Sequence, residues 1–215
     1  MIELLVVGAI ATNCWLYSRD ESSGECAVID PGADPDVIIS RLKRLNLRPR
    51  YILLTHGHFD HIAALPDLAD AYKDHPPIIA IHRDDGQYLG PGAYEPHRVS
   101  FTAAAGDSGY VDALWKDMPA AAELLTEGSV IGPFTTLHLP GHTEGSVGFL
   151  DEAAKVLFSG DTMFRGDCGR TDLPGGSWPK IQQSLRRLST LDPAITVYPG
   201  HGPKTSIGNE AGNVY

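Results

Sequence analysis

Short apolar runs with β-branched residues alternate along the chain with clusters of turn residues. IELLVV, NCWLYS and CAVID come first, the last closing on Asp30-Pro31-Gly32, and such runs bounded by turn signals predict a β-meander. From Pro35 the period changes. Val37, Ile38, Leu42 and Leu45 follow helical spacing, Lys and Arg gather in the last turn, and Pro49 ends the pattern, so an amphipathic helix is expected there. The strand YILLT follows, then a turn carrying His56-Gly57-His58. A helical stretch over about 60–72 comes next, with Pro66 restarting it, because proline is tolerated only in a first turn.

The strand PPIIAIH ends at His82. Periodicity then fails over about 83–128, apart from a possible helix around Met118 to Leu125, and so long an irregular excursion suggests a functional loop or lid. The strands FTTLHL, SVGFL and KVLFS restore it, followed by the helix SWPKIQQSLRRLSTL with Ile181, Leu185, Leu188 and Leu191 on one stripe, and the strand ITVY. Both halves run strands, helix, strand, with no low-complexity linker between them. The expectation is one α/β domain over residues 1–215, with sheets inside and helices outside.

Composition narrows the function. With 17 Lys+Arg against 27 Asp+Glu the net charge is −10, which disfavours nucleic acid and anionic bilayers as partners. Three cysteines without a CxxC pair argue against a secreted disulfide framework. Glu3 stands where a signal peptide carries a basic residue, and the apolar stretch from Leu4 to Ala11 is far short of a bilayer span. A cytoplasmic protein is expected, as a monomer or small homo-oligomer.

Four strands end alike: an apolar run stops at a small residue or glycine and a potential metal ligand follows at once. These endings are YILLT-His56, LHLPG-His142, VLFSG-Asp161 and VYPG-His201. Strand ends in α/β sheets are where ligand sites collect, so four such endings suggest one shared site. The densest signal is His56-Gly57-His58-Phe59-Asp60-His61, where Gly57 eases a turn that lets His56 and His58 converge. His56, His58, Asp60, His61, His142, Asp161 and His201 are too many for one tetrahedral zinc but suffice for two divalent ions sharing a carboxylate; imidazole with carboxylate suits zinc, iron or manganese.

At these residues the chain resembles the metallo-β-lactamase superfamily, whose HxHxDH motif stands here as His56 to His61, followed in order by His142, Asp161 and His201. The resemblance implies a four-layer αβ/βα sandwich with its metals at one edge between the sheets. It implies His56, His58 and His142 on a first metal, Asp60, His61 and His201 on a second, and Asp161 bridging them. Cysteine in place of Asp161 would point to the β-lactamases proper, and Glu in place of His58 to the flavodiiron branch. SGDTMFRGDCGRTDLPGGS and PGHGPKTSIGNE are similar to the short bacterial hydroxyacylglutathione hydrolases, the glyoxalase II type. Only some 14 residues follow His201, so the separate C-terminal helical domain of longer relatives is not expected. Arg170 occupies the place of a basic residue that contacts glutathione in those relatives.

The expected chemistry is hydrolysis of a small-molecule acyl thioester such as S-lactoylglutathione by a metal-bridged hydroxide, with zinc the foremost metal and Asp60 able to take its proton. The alternative implied by a very similar CGRTD loop is a persulfide dioxygenase holding one iron through His56, His142 and Asp161. Other residues have plainer readings. His75, His82, His97 and His138 read as surface or core residues, His138 bonding locally. Asp30 reads as a turn residue, with support of a ligand histidine as the alternative, and Cys168 as a small loop residue. Arg165 and Lys204 are weaker candidates than Arg170 for substrate contact. Tyr88, Tyr94, Tyr110 and Trp115 either wall the pocket or pack a lid on the domain.

Overall fold

The computed structural model describes residues 1–213. Strands β1 (Ile2–Val7), β2 (Thr12–Tyr17) and β3 (Glu25–Ile29) form the expected antiparallel meander. Helix α1 (Pro35–Arg44) crosses to β4 (Arg48–Leu53), which pairs parallel with β3. The stretch after the histidine turn is two helices, α2 (Phe59–Ile62) and α3 (Leu65–Ala71), and Pro66 stands in the first turn of the second, as its missing N–H allows. Strand β5 (Ile78–His82) extends the sheet in parallel.

The region that reads as irregular contains regular structure. A 3₁₀ turn over Arg83–Tyr88 leads to α4 (Tyr94–Ala105) and α5 (Gly109–Leu114). The possible helix from Met118 to Leu125 is instead extended chain ending in β6 (Glu123–Leu125), which pairs parallel with β5 at the sheet edge. Edge pairing decides it: Ala122 N–H donates to the Ile79 carbonyl, so the ladder with β5 takes the backbone donors that a helix would use internally.

The second half builds the second sheet from β7 (Val130–Ile131), β8 (Phe134–His138), β9 (Val147–Asp151), β10 (Val156–Gly160), β11 (Thr196–Pro199) and β12 (Thr205–Ser206). Helix α6 (Trp178–Leu188) covers its outer face and α7 (Ile207–Glu210) closes the described chain. Each sheet has six strands, one in the order β1 to β6 and the other β12 to β7.

Alternation along the strands accounts for the layers. Cys14 and Leu16 of β2, with Cys26 and Val28 of β3, face Ile38 and Leu42 of α1 and Leu65 and Leu68 of α3 in an outer core. Their neighbours Trp15, Tyr17, Ala27 and Ile29 face the opposite way and meet Phe134, Phe149 and Phe158 of the second sheet in an inner core. Leu137, Leu150 and Leu157 turn outward again onto Ile181, Leu185 and Leu188 of α6. Three cores between four layers make the expected αβ/βα sandwich. Side-chain hydrogen bonds help lock the sheets together: the Tyr17 hydroxyl donates to Asp151 at 2.8 Å and the Trp15 indole N–H to the Pro199 carbonyl at 3.0 Å. No helix among the described residues is long and apolar enough to cross a membrane.

Candidate metal centre

At one edge of the sandwich the two sheets are joined by backbone. Val147 N–H donates to the Thr55 carbonyl at 2.8 Å and Asn13 N–H to the Gly200 carbonyl at 2.7 Å. The four ligand-bearing strand ends meet there. The donor atoms of His56, His58 and His142 lie within 4.8 Å of one another, as do those of Asp60, His61 and His201. Asp161 faces both sets: Oδ2 lies 3.7 Å from His142 Nε2 and 3.6 Å from His201 Nε2, while Oδ1 lies 3.5 Å from His61 Nε2. All seven residues singled out in the sequence are therefore in one place.

Hydrogen bonds at the outer ring nitrogens fix which way most of these imidazoles point. His142 Nδ1–H donates to the Arg170 carbonyl at 2.8 Å, and His201 Nδ1–H to the Ala11 carbonyl at 3.3 Å. His61 Nδ1–H donates to Asp30 Oδ2 at 3.0 Å. The Thr55 hydroxyl donates to the same Asp30 oxygen at 2.6 Å, so it accepts from His56 Nδ1–H at 3.1 Å. With Nδ1 protonated in each ring, the Nε2 lone pairs of His56, His61, His142 and His201 face inward. Asp30, at 1% exposure and with a φ of 52°, thus supports one histidine of each group; the turn reading of this residue gives way to the supporting one.

The fit to metal ions rests on atoms that no protein group satisfies. His56 Nε2 and Asp161 Oδ1 are buried and have no hydrogen-bond partner among the described residues. Such atoms cost free energy unless something pairs with them, and divalent ions fit donors of this type. The imidazoles also crowd, with His58 Nδ1 2.8 Å from His142 Nε2 and His61 Nε2 3.2 Å from His201 Nε2. Two neutral rings at these separations share at most one proton, whereas a cation between them accepts both lone pairs.

The electrostatics divide the groups. Burial, reinforced by His142, pushes His58 down to about 3, and burial with the surrounding histidines holds His56 well below the ordinary range. Burial acts downward on His61 too, but Asp161, Asp60 and Asp30 outweigh it and raise this ring well above the ordinary value. His201 is raised in the same way by Asp60 and Asp161. Burial acts upward on Asp161, yet His61 prevails and holds it at about 2; Asp60 is held low by His61 and His201. His61, raised well above the ordinary value, carries a proton that it must lose to become a ligand, while the depressed rings are already neutral. Filling the centre at pH 7 is therefore expected to release protons, and affinity to fall as pH drops. Calorimetry of zinc binding in buffers of different ionisation enthalpy measures this directly; heats independent of the buffer would count against it.

Asp85 is a supporting residue that the sequence reading missed. Its carboxylate accepts from Gly57 N–H at 2.8 Å, the Thr143 hydroxyl at 2.8 Å and Gly145 N–H at 2.9 Å, clamping the loop of His56 and His58 to that of His142. It lies three residues past the end of β5, inside the 3₁₀ turn, where the local sequence carries no ligand-like signal. Burial raises its pKa against those three donors. Gly57 is required for room rather than for a special turn, since a Cβ there would run into the Tyr88 ring.

A cavity of about 380 Å³ opens beside the donors. Arg170 lines it, but its guanidinium is held in a two-pronged pair with Asp172, Nε–Oδ1 at 2.7 Å and Nη2–Oδ2 at 2.8 Å. Arg165 and Lys204 do not line it. Neither do Tyr88, Tyr94, Tyr110 or Trp115, which pack against one another and their neighbours: Trp115 stacks on Phe59 and Tyr110 on Phe101. His97 sits in the wall, 1% exposed, donating to the Tyr88 carbonyl at 2.9 Å. Cys168 is half-buried, and burial together with Asp167 raises its thiol, so it is not an activated nucleophile.

His82 and His138, with Asp84, form another grouping of possible ligands. Their rings are stacked 4.1 Å apart and only 13° from parallel. An ion bound in the usual way lies in the plane of each imidazole, and nearly parallel planes this far apart do not meet at one. His138 does bond locally, donating from Nε2 to the Glu144 carbonyl at 2.8 Å.

The profile of the metallo-beta-lactamase superfamily matches residues 7–201, and the chain belongs to that superfamily. It is 34% identical to the hydroxyacylglutathione hydrolase GloC of Haemophilus influenzae, over 97% of this chain and 94% of that protein. Among solved structures it is similar to the BLEG-1 B3 metallo-beta-lactamase, with TM-score 0.84 and 33% identity over 98% of this chain and 96% of that one. It is also similar to TTHA1623 in a di-iron-bound form, with TM-score 0.81 and 35% identity over 98% of both chains. The chain is thus a metal-dependent hydrolase of this superfamily.

Proposed function

We propose that the chain is a dinuclear thioesterase of the hydroxyacylglutathione hydrolase type, acting on an acyl thioester such as S-lactoylglutathione. The observation that carries this is the meeting of two three-residue donor groups at the single carboxylate of Asp161. His56, His58 and His142 would hold one divalent ion and Asp60, His61 and His201 the other, zinc foremost, with iron or manganese as alternatives. When bound, such a pair lowers the pKa of a water from about 15.7 towards 7 and polarises a carbonyl.

The protein's own groups supply the rest. Asp60 Oδ2 accepts from the Thr12 hydroxyl at 3.1 Å and lies 3.4 Å from His201 Nε2, which holds the carboxylate at the donor groups as the candidate proton acceptor. Asp30 and Asp85 keep the donor loops from rearranging as charge develops. The leaving group is a thiol with a pKa near 8.5, able to depart as the anion, so no dedicated acid is required. Arg170 stands at the cavity as a candidate substrate contact.

The similarity to GloC and to a di-iron protein supports two metals and a thioester. The mono-iron persulfide dioxygenase remains the competing reading, because His56, His142 and Asp161 are also adjacent. The test is metal content followed by assays on one sample. About two ions per chain with cleavage of S-lactoylglutathione is expected. One iron with oxygen uptake on glutathione persulfide would favour the dioxygenase, and a chromogenic β-lactam cleaved faster than any thioester would favour the lactamase chemistry of BLEG-1.

A further inference from the structure

The cavity beside the donors has one apolar wall. Phe101, Ala104 and Ala105 of α4 lie at positions i, i+3 and i+4 and so share a helix face, and Ile10, Phe59 and Leu173 extend it; His97 and Ser100, earlier on α4, line the cavity beside this apolar face. Ile10 is 41% exposed, an apolar side chain held in the loop between β1 and β2. Phe101 is braced by stacking on Tyr110 at 5.2 Å, and the small residues 104 and 105 leave space beside it. Among the described residues, the one Lys or Arg in the lining is Arg170, and its guanidinium is engaged in the two-pronged pair with Asp172.

We propose that this wall is an acyl-chain pocket, and that the substrate is a thioester of an unbranched aliphatic acid longer than lactate; the proposal rests on the thioesterase reading above. The thiols that carry acyl groups in water are polar and usually anionic. Laying such a carrier on Ile10, Phe101, Ala104 and Leu173 would strip its charges of water with no free cation in return. The part of a thioester that this surface accepts is therefore the acyl chain, running along α4 with its carbonyl at the donors and its thiol towards solvent. Specificity comes from apolar area, and Ala104 sets the depth available.

The test uses metal-loaded protein and acyl thioesters of N-acetylcysteamine, an uncharged thiol, from acetyl to decanoyl. kcat/KM is expected to rise about fourfold per methylene until the pocket fills. Ala104→Leu, which a helix tolerates, is expected to move the optimum to a shorter chain. Acetyl thioesters of progressively longer alkyl thiols should show no matching gain. In metal-free protein, octanoate should bind at least tenfold more tightly than butyrate by calorimetry; both carry one charge, so the ratio isolates the chain. Thioester cleavage with a flat acyl profile, a preference that follows the thiol, an optimum unmoved by Ala104→Leu, or equal affinity for the two carboxylates would each overturn the pocket. Failure to cleave any thioester, with octanoate still preferred, would instead overturn the thioesterase reading.

Discussion

Asp161→Ala is expected to leave a folded protein that no longer retains a metal pair, with kcat/KM for thioester hydrolysis lower by about a thousandfold, the scale of removing a preorganised charge from a reacting centre. Among the described residues this carboxylate alone lies within 4 Å of histidines of both donor groups, Oδ2 towards His142 and His201 and Oδ1 towards His61. The two groups would then bind independently and more weakly. Thermal unfolding separates this from a damaged fold. The metal-free variant and wild type should melt within a few degrees of each other, while added zinc should raise the melting temperature of wild type much the more, because a ligand stabilises only in proportion to its binding to the native state. A variant with full metal content and wild-type rate would show that Asp161 does not lie between the ions.

The second large effect is expected from Asp30→Asn, although Asp30 is not among the proposed ligands. Its φ of 52° suits asparagine, so the backbone need not change. The hydrogen bonds do. One oxygen can still accept from Thr55 N–H, but an amide NH₂ replaces the oxygen that accepts from both the Thr55 hydroxyl and His61 Nδ1–H. To meet a donor, His61 must move its proton from Nδ1 to Nε2, which removes the inward lone pair. The Thr55 hydroxyl reverses likewise and asks the same of His56. Metal affinity should fall about 10–100-fold, as for other partners of ligand histidines. Competition with a chromogenic chelator measures it, and an unchanged affinity would show that these rings do not depend on Asp30.

The two variants probe parts of the site that were unequally legible in the sequence. His56 to His61 announced themselves by density, and His142, Asp161 and His201 by following strand ends. Asp30 and Asp85 did not, because an isolated aspartate at a turn carries the same local signal whether it bonds to solvent or to another loop; what distinguishes them is Thr55 and Gly57, brought to them by the sheet. The layers were readable wherever one strand face meets helices and the other meets the second sheet, as in β2 and β10. Helix α4 was not, since the residues it buries are His97 and Ser100 rather than an apolar stripe, and its cavity-facing side mixes these two with Phe101, Ala104 and Ala105. Hydrophobic periodicity has nothing to detect in such a helix. The strand ending at Leu125 was equally hidden, with Glu123 and Leu124 exposed at the sheet edge.

The two sheets are built one after the other along the chain, the first ending at Leu125 and the second beginning at Val130. On a translating ribosome the first sheet can therefore form while its partner is still unmade, with Trp15, Tyr17, Ile29 and Leu53 displaying what will become the inner core. His142 reaches the first donor trio well before His201 completes the second, and at about 5–20 residues per second the gap is several seconds. A nascent chain thus passes through an interval in which it holds four of the five ligand imidazoles and an inner sheet face only partly covered, an interval open to chaperone capture and premature metal uptake.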